Sequence, residues 1–95
     1  MLYELARMAL DVEEPQAVRV EAVRGMGKNG RGSAEVTRIL LRLLDGRDYR
    51  VRVAALEALE ELDDSASTLE LGAYYDTCVF PRERRILERI LRGRG

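Results

Sequence analysis

Val18-Arg19-Val20-Glu21-Ala22-Val23-Arg24-Gly25-Met26 and, 33 residues further on, Val51-Arg52-Val53-Ala54-Ala55-Leu56-Glu57-Ala58-Leu59 decide how this chain is read. Val18 matches Val51, Arg19 matches Arg52, Val20 matches Val53 and Ala22 matches Ala55, while Val23/Leu56 and Met26/Leu59 stay apolar. A fixed period of this size marks a repeat architecture, in which each unit buries its apolar face only against its neighbours. It argues for a surface whose work is contact and against an enzyme.

Working outward, Leu2, Leu5, Ala6, Ala9 and Leu10 form one helical stripe over Met1–Leu10, and Val36, Ile39, Leu40, Leu43 and Leu44 repeat it 34 residues later. Pro15 suits the first turn of a helix over Pro15–Met26 with Val18, Ala22, Val23 and Met26 inward. Gly25 and its counterpart Ala58 are small enough for a neighbouring helix to come close. Gly27-Lys28-Asn29-Gly30-Arg31-Gly32 reads as a loop, since its glycines do not sustain a helix. It lacks the order of a phosphate loop and no strand precedes it. Ser33 is set to cap a helix over Ala34–Leu44, and Gly46 and Asp48 to separate it from a helix over Tyr49–Leu62. Ser67 with Glu70 forms a capping box for a short helix ending near Tyr75, weakened by Gly72 where Ile39 stood. Pro81 opens a last helix to about Arg92, aligned with the earlier copy at a spacing of 31 through Leu87-Glu88 and Leu56-Glu57. Arg82 then stands where Val51 stood, as the polar face of a terminal unit requires. Gly93-Arg94-Gly95 is expected to fray.

The expected fold is therefore all-α: an α-α superhelix of about five helices in antiparallel pairs. Its one domain over 1–95 divides into a half-unit 1–14, a unit 15–45, a unit 48–76 and a closing helix 80–92. Ninety-five residues allow one modest core. Charges interrupt every apolar stretch, so no membrane span is expected. The start Met1-Leu2-Tyr3-Glu4 lacks a basic leader region, and the single Cys78 suits a reducing compartment; a cytoplasmic location is expected.

The net charge of −1 hides an uneven layout. Val53–Pro81 carries no Lys or Arg but has Glu57, Glu60, Glu61, Asp63, Asp64, Glu70 and Asp76. The segment after Phe80 carries Arg82, Arg84, Arg85, Arg89, Arg92 and Arg94. Two solvated faces that partly neutralise each other are the plain reading. A basic patch of Arg82, Arg84, Arg85, Arg89 and Arg92 for nucleic acid is the alternative, weakened by an overall pI near 5.5.

The segments Val18-Arg19-Val20-Glu21-Ala22 and Tyr49-Arg50-Val51-Arg52-Val53-Ala54-Ala55-Leu56-Glu57-Ala58-Leu59 resemble HEAT-like repeats of the phycobilisome-lyase type. Similar arrays form C-terminal domains of some zinc aminopeptidases of the aminopeptidase N class. The resemblance implies a solenoid in which the arginines at Arg19 and Arg52 pair with an acidic residue at a neighbouring helix start, with Asp48 the plausible partner. It also implies an accessory piece, with the metal and catalytic groups in another domain.

Catalytic chemistry is sparse. Without histidine the commonest general base and zinc ligand are missing, and Cys78 has no histidine partner. No catalytic residue, cofactor or metal ligand is assigned. The leading expectation is a non-catalytic module for protein–protein interaction or scaffolding, its partner another protein or its own catalytic domain. The second helices of stacked pairs are expected to present the contact surface, through exposed Thr37, Leu41, Glu70 and Tyr74. Leu2, Tyr3, Leu5 and Met8 cannot all hide against the helix that follows, so a homodimer through the N-terminal helix is expected, or a longer chain.

Overall fold

A computed structural model describes residues 2–94, leaving Met1 and Gly95 outside the description. Among the described residues six α-helices follow one another: α1 Leu2–Leu10, α2 Gln16–Asn29, α3 Ala34–Leu43, α4 Tyr49–Leu62, α5 Thr68–Thr77 and α6 Pro81–Arg94. A 3-10 turn over Ser65–Ser67 precedes α5, and no strand occurs among the described residues. The architecture is an all-α helical repeat in antiparallel pairs. The helices form two layers, and the Cα atoms span 33 × 28 × 15 Å. α2, α4 and α6 lie side by side in one layer, with α2 closest along α4; α1, α3 and α5 cover them and touch one another far less. Across the two layers α1 packs on α2, α3 on α4 and α5 on α6.

The repeat is visible in what each inner helix buries. Arg19, Ala22, Val23 and Met26 of α2 are buried, as are Arg52, Ala55, Leu56 and Leu59 of α4 and Glu83, Ile86, Leu87 and Ile90 of α6. This is one i, i+3, i+4, i+7 stripe written three times. Its first position is charged in every copy: arginine twice, then glutamate.

Helix boundaries depart from expectation at four places. Gly27-Lys28-Asn29 is helical, not loop. A Cβ on Gly27 would lie 2.9 Å from the Ala58 Cβ and 3.1 Å from its Cα, so bare backbone lets α2 and α4 touch here. That contact, with Asn29 Nδ2 donating to the Gly25 carbonyl at 2.9 Å, outweighs glycine's helix penalty of about 1 kcal/mol. The reversal falls at Gly32, whose φ of +84° only glycine adopts readily. Next, Ser33 caps α3 through the Val36 amide at 3.2 Å, but Ser67 does not cap α5. Its hydroxyl donates to the Asp64 carbonyl at 2.8 Å, while the Asp64 carboxylate accepts from the Ala66 amide at 2.9 Å and starts the 3-10 turn. Third, α5 runs to Thr77 and equals α3 at 10 residues, so Gly72 does not shorten it. Finally, Gly93 and Arg94 continue α6. The Arg94 side chain is nearly buried and donates to Ser67 Oγ at 2.8 Å and Thr68 Oγ1 at 3.2 Å, which ties the last turn down.

Candidate interaction surface

Both repeat arginines donate to a backbone carbonyl, and Arg52 adds a buried carboxylate. Arg19 Nε donates to the Ala9 carbonyl at 2.9 Å, at the end of α1. Arg52 Nη1 donates to the Gly46 carbonyl at 3.0 Å, and Nε and Nη2 both donate to Glu83 Oε2, at 3.3 and 3.2 Å. Glu83 has no exposed surface, and its second oxygen accepts from the Tyr74 hydroxyl. Tyr49 and Phe80 flank the guanidinium, their ring centroids 5.7 and 5.2 Å from Cζ. Burial opposes the Arg52 charge, and the Glu83 carboxylate outweighs it, so the pKa stands above its ordinary value. Burial and then the Glu83 carboxylate push the Tyr74 hydroxyl upward, so it keeps its proton.

Asp48 is partner to neither arginine. It stands at the N-cap of α4 and accepts from the Arg50 and Val51 amides at 3.0 and 3.3 Å. Its free lone pairs take Gln16 Nε2 at 2.9 and 3.1 Å. A carboxylate at a helix start is claimed first by the helix's own unpaired amides. The sequence held the signal for the true partner: the spacing of 31 sets Glu83 opposite Arg52. A glutamate at a core position requires a cation beside it.

The C-terminal arginines are largely occupied by the acidic segment. Arg89 grips Glu60 with two bonds of 3.0 Å, Arg82 lies 3.6 Å from Glu57, and Arg94 lies 3.5 Å from Asp63. Arg84 donates to the Tyr75 and Cys78 carbonyls at 3.2 and 2.9 Å and stacks over the Tyr75 ring at 4.1 Å. Among the described residues, Arg85 and Arg92 are exposed and carry no ion pair. The basic patch is thus a set of cross-helix ties with two arginines left over.

Of the expected contact residues, Leu41, Glu70 and Tyr74 meet in one groove of about 530 Å³ between α3 and α5. Arg38 and Arg42 stand on the α3 wall, Ala73 and Thr77 on the α5 wall. Leu41 is half-buried against the core, and Glu70 is exposed. Thr37 is not on this surface. It is 6% exposed, and its hydroxyl donates to Asp64 Oδ2 at 3.0 Å. The Asp64 connector folds back over α3 and covers it. Tyr74 lines the groove with its ring, but its hydroxyl is spent on Glu83. A second, more apolar groove of about 800 Å³ opens between α1 and α3, lined by Leu2, Tyr3, Ala6, Leu10, Val36 and Ile39 with Arg7, Asp11 and Glu35 at its edge. No described helix is long and apolar enough to cross a membrane.

A family model described as HEAT repeats matches residues 4–92. No curated protein matches the chain. No solved structure matches it.

Proposed function

Because the chain belongs to the HEAT-repeat family, we propose that it is a non-catalytic module for protein–protein interaction or scaffolding, with the layer of α1, α3 and α5 as its recognition face. HEAT repeats generally serve such roles. The observation that carries the reading is the groove between α3 and α5. Arg38 and Arg42 on one wall face Glu70 on the other, above an apolar floor of Leu41, Leu44 and Tyr74. Such a groove offers burial to an apolar side chain and charge contacts to the segment around it. On the opposite layer Arg82 and Arg89 are tied to Glu57 and Glu60.

In its finer form the proposal places the repeats with the phycobilisome-lyase type and the chain beside a catalytic domain of the zinc-aminopeptidase kind, in the cytoplasm. The buried valine–arginine step at Val51-Arg52 supports the type, and the free thiol of Cys78 supports the compartment. A frame continuous with this chain and encoding His-Glu-x-x-His would support the enzyme link.

The test is site-specific photo-crosslinking in the native cell. A crosslinking side chain at position 41 or 73 is expected to trap a discrete protein, and one at 85 or 92 to trap none. Equal adducts from both layers, or none from the groove, would refute the assignment of the face.

A further inference from the structure

The N-terminal helix carries apolar surface that its counterpart keeps from water. Tyr3 is 79% exposed and Leu10 37%, whereas Thr37 and Leu44, 34 residues later, are 6% and 5% exposed. Val18 of α2 is half-buried where Val51 of α4 is buried. Leu5, Met8, Val18 and Ala22 line a shallow, mostly apolar depression of about 370 Å³ beside this helix. The other end of the stack is different: α6 turns Arg85, Glu88 and Arg92 to solvent. Head-to-tail stacking would press apolar surface onto these charges, while a twofold contact uses the N-terminal face alone.

The charges of α1 choose the occupant. Glu4 and Arg7 are exposed, and neither carries an ion pair among the described residues. Turn a second α1 antiparallel about an axis between Leu5 and Ala6. Each Glu4 then meets the other copy's Arg7, with Tyr3 facing Tyr3 along one flank of the contact and Met8 facing Met8 along the other. The helix is complementary to itself in charge, and apolar side chains border the charges on both flanks. Glu21 and Arg24, on the neighbouring helix, already pair with each other at 2.8 Å and add no net charge.

We propose that a second copy of this chain docks on α1, forming a twofold dimer through reciprocal Glu4–Arg7 pairs flanked by Tyr3 and Met8. Two nine-residue helices form a small contact, so the dimer belongs to the weak, low-area class.

Sedimentation velocity across micromolar to submillimolar concentrations tests it. The unaltered chain is expected to double its mass as concentration rises. Glu4→Arg alone and Arg7→Glu alone set like charges face to face, and each is expected to give a monomer throughout. Both together restore opposite charges, and dimerisation is expected to return. Both positions are exposed, so folding is retained and is checked by circular dichroism. A monomeric unaltered chain, single variants that still dimerise, or a double variant that stays monomeric would each overturn the proposal. An unaltered chain that stays monomeric throughout would leave this face to a partner of another kind.

Discussion

Replacing Arg52 by methionine removes one charge and keeps most of the side-chain volume. Glu83 is then left without exposed surface, holding only the Tyr74 hydroxyl. The stranded carboxyl escapes by taking a proton, which costs about 1.4 kcal/mol for each pH unit above an ordinary glutamic acid value of about 4.3. That is about 3.7 kcal/mol at pH 7 and about 1 kcal/mol at pH 5. The figure at pH 7 agrees with the ~3–5 kcal/mol expected when one partner of a buried pair is removed. It is a large part of the ~5–14 kcal/mol that holds a chain of this size together. Urea unfolding of Arg52→Met at both pH values, against the unaltered chain at the same pH, measures it. The loss is expected to shrink by about 2.7 kcal/mol on going from pH 7 to pH 5. The sign follows from linkage: a carboxyl whose folded pKa is raised stabilises below its unfolded value and loses that contribution as pH rises. The triple variant Arg52→Met, Glu83→Leu, Tyr74→Phe removes the charges and the hydroxyl together and is expected to return within about 1 kcal/mol of the unaltered chain. A loss below about 1 kcal/mol at pH 7 for the single variant, or a triple variant no better than the single, would refute the reasoning.

Gly27→Ala is expected to destabilise by about 1–3 kcal/mol despite alanine's better helix propensity, because its Cβ meets Ala58 backbone; Ala58→Gly in the same chain should recover part of the loss. Chemical denaturation decides it, and a stabilised Gly27→Ala chain would contradict the close approach. Asp64→Ala strips the acceptor from the Ala66 amide and from the buried Thr37 hydroxyl, with an expected cost of about 1–3 kcal/mol by the same measurement. Tyr74 keeps its proton past its ordinary 10.0, so its contribution is full below that pH and fades as pH rises above it. Tyr74→Phe should therefore make the alkaline fall in stability shallower, read from thermal melts between neutral pH and strong alkali.

The fold was legible because the same stripe recurs: Ala22, Val23 and Met26 reappear as Ala55, Leu56 and Leu59, and a spacing shared by three helices leaves few ways to bury them. Boundaries were less legible where tertiary contact beats local preference. Gly27 carries no signal of Ala58 in its own neighbourhood, and glycine followed by Lys28 and Asn29 reads as a break. The start of α5 was missed for a related reason: Ser67 and Glu70 fit a capping box, but the neighbouring Asp64 is the stronger acceptor and claims the turn first. At the contact surface, Leu41 and Glu70 follow from helix geometry alone. Thr37 and Tyr74 do not, because what covers one and engages the other arrives from connectors and helices far along the chain. Glu83 was within reach, since the alignment that set Arg82 against Val51 also set Glu83 against Arg52.

Arg19, Arg52 and Arg84 each rest on a carbonyl from the stretch that leads into their own helix: Ala9, Gly46 and Cys78. A tandem copy of α3 with α4 would thus bring both the guanidinium and the oxygen it needs, so the array can lengthen by internal duplication without a compensating change. Copying α6 instead would set two dry glutamates against each other, and that duplication would need a cation from elsewhere to survive.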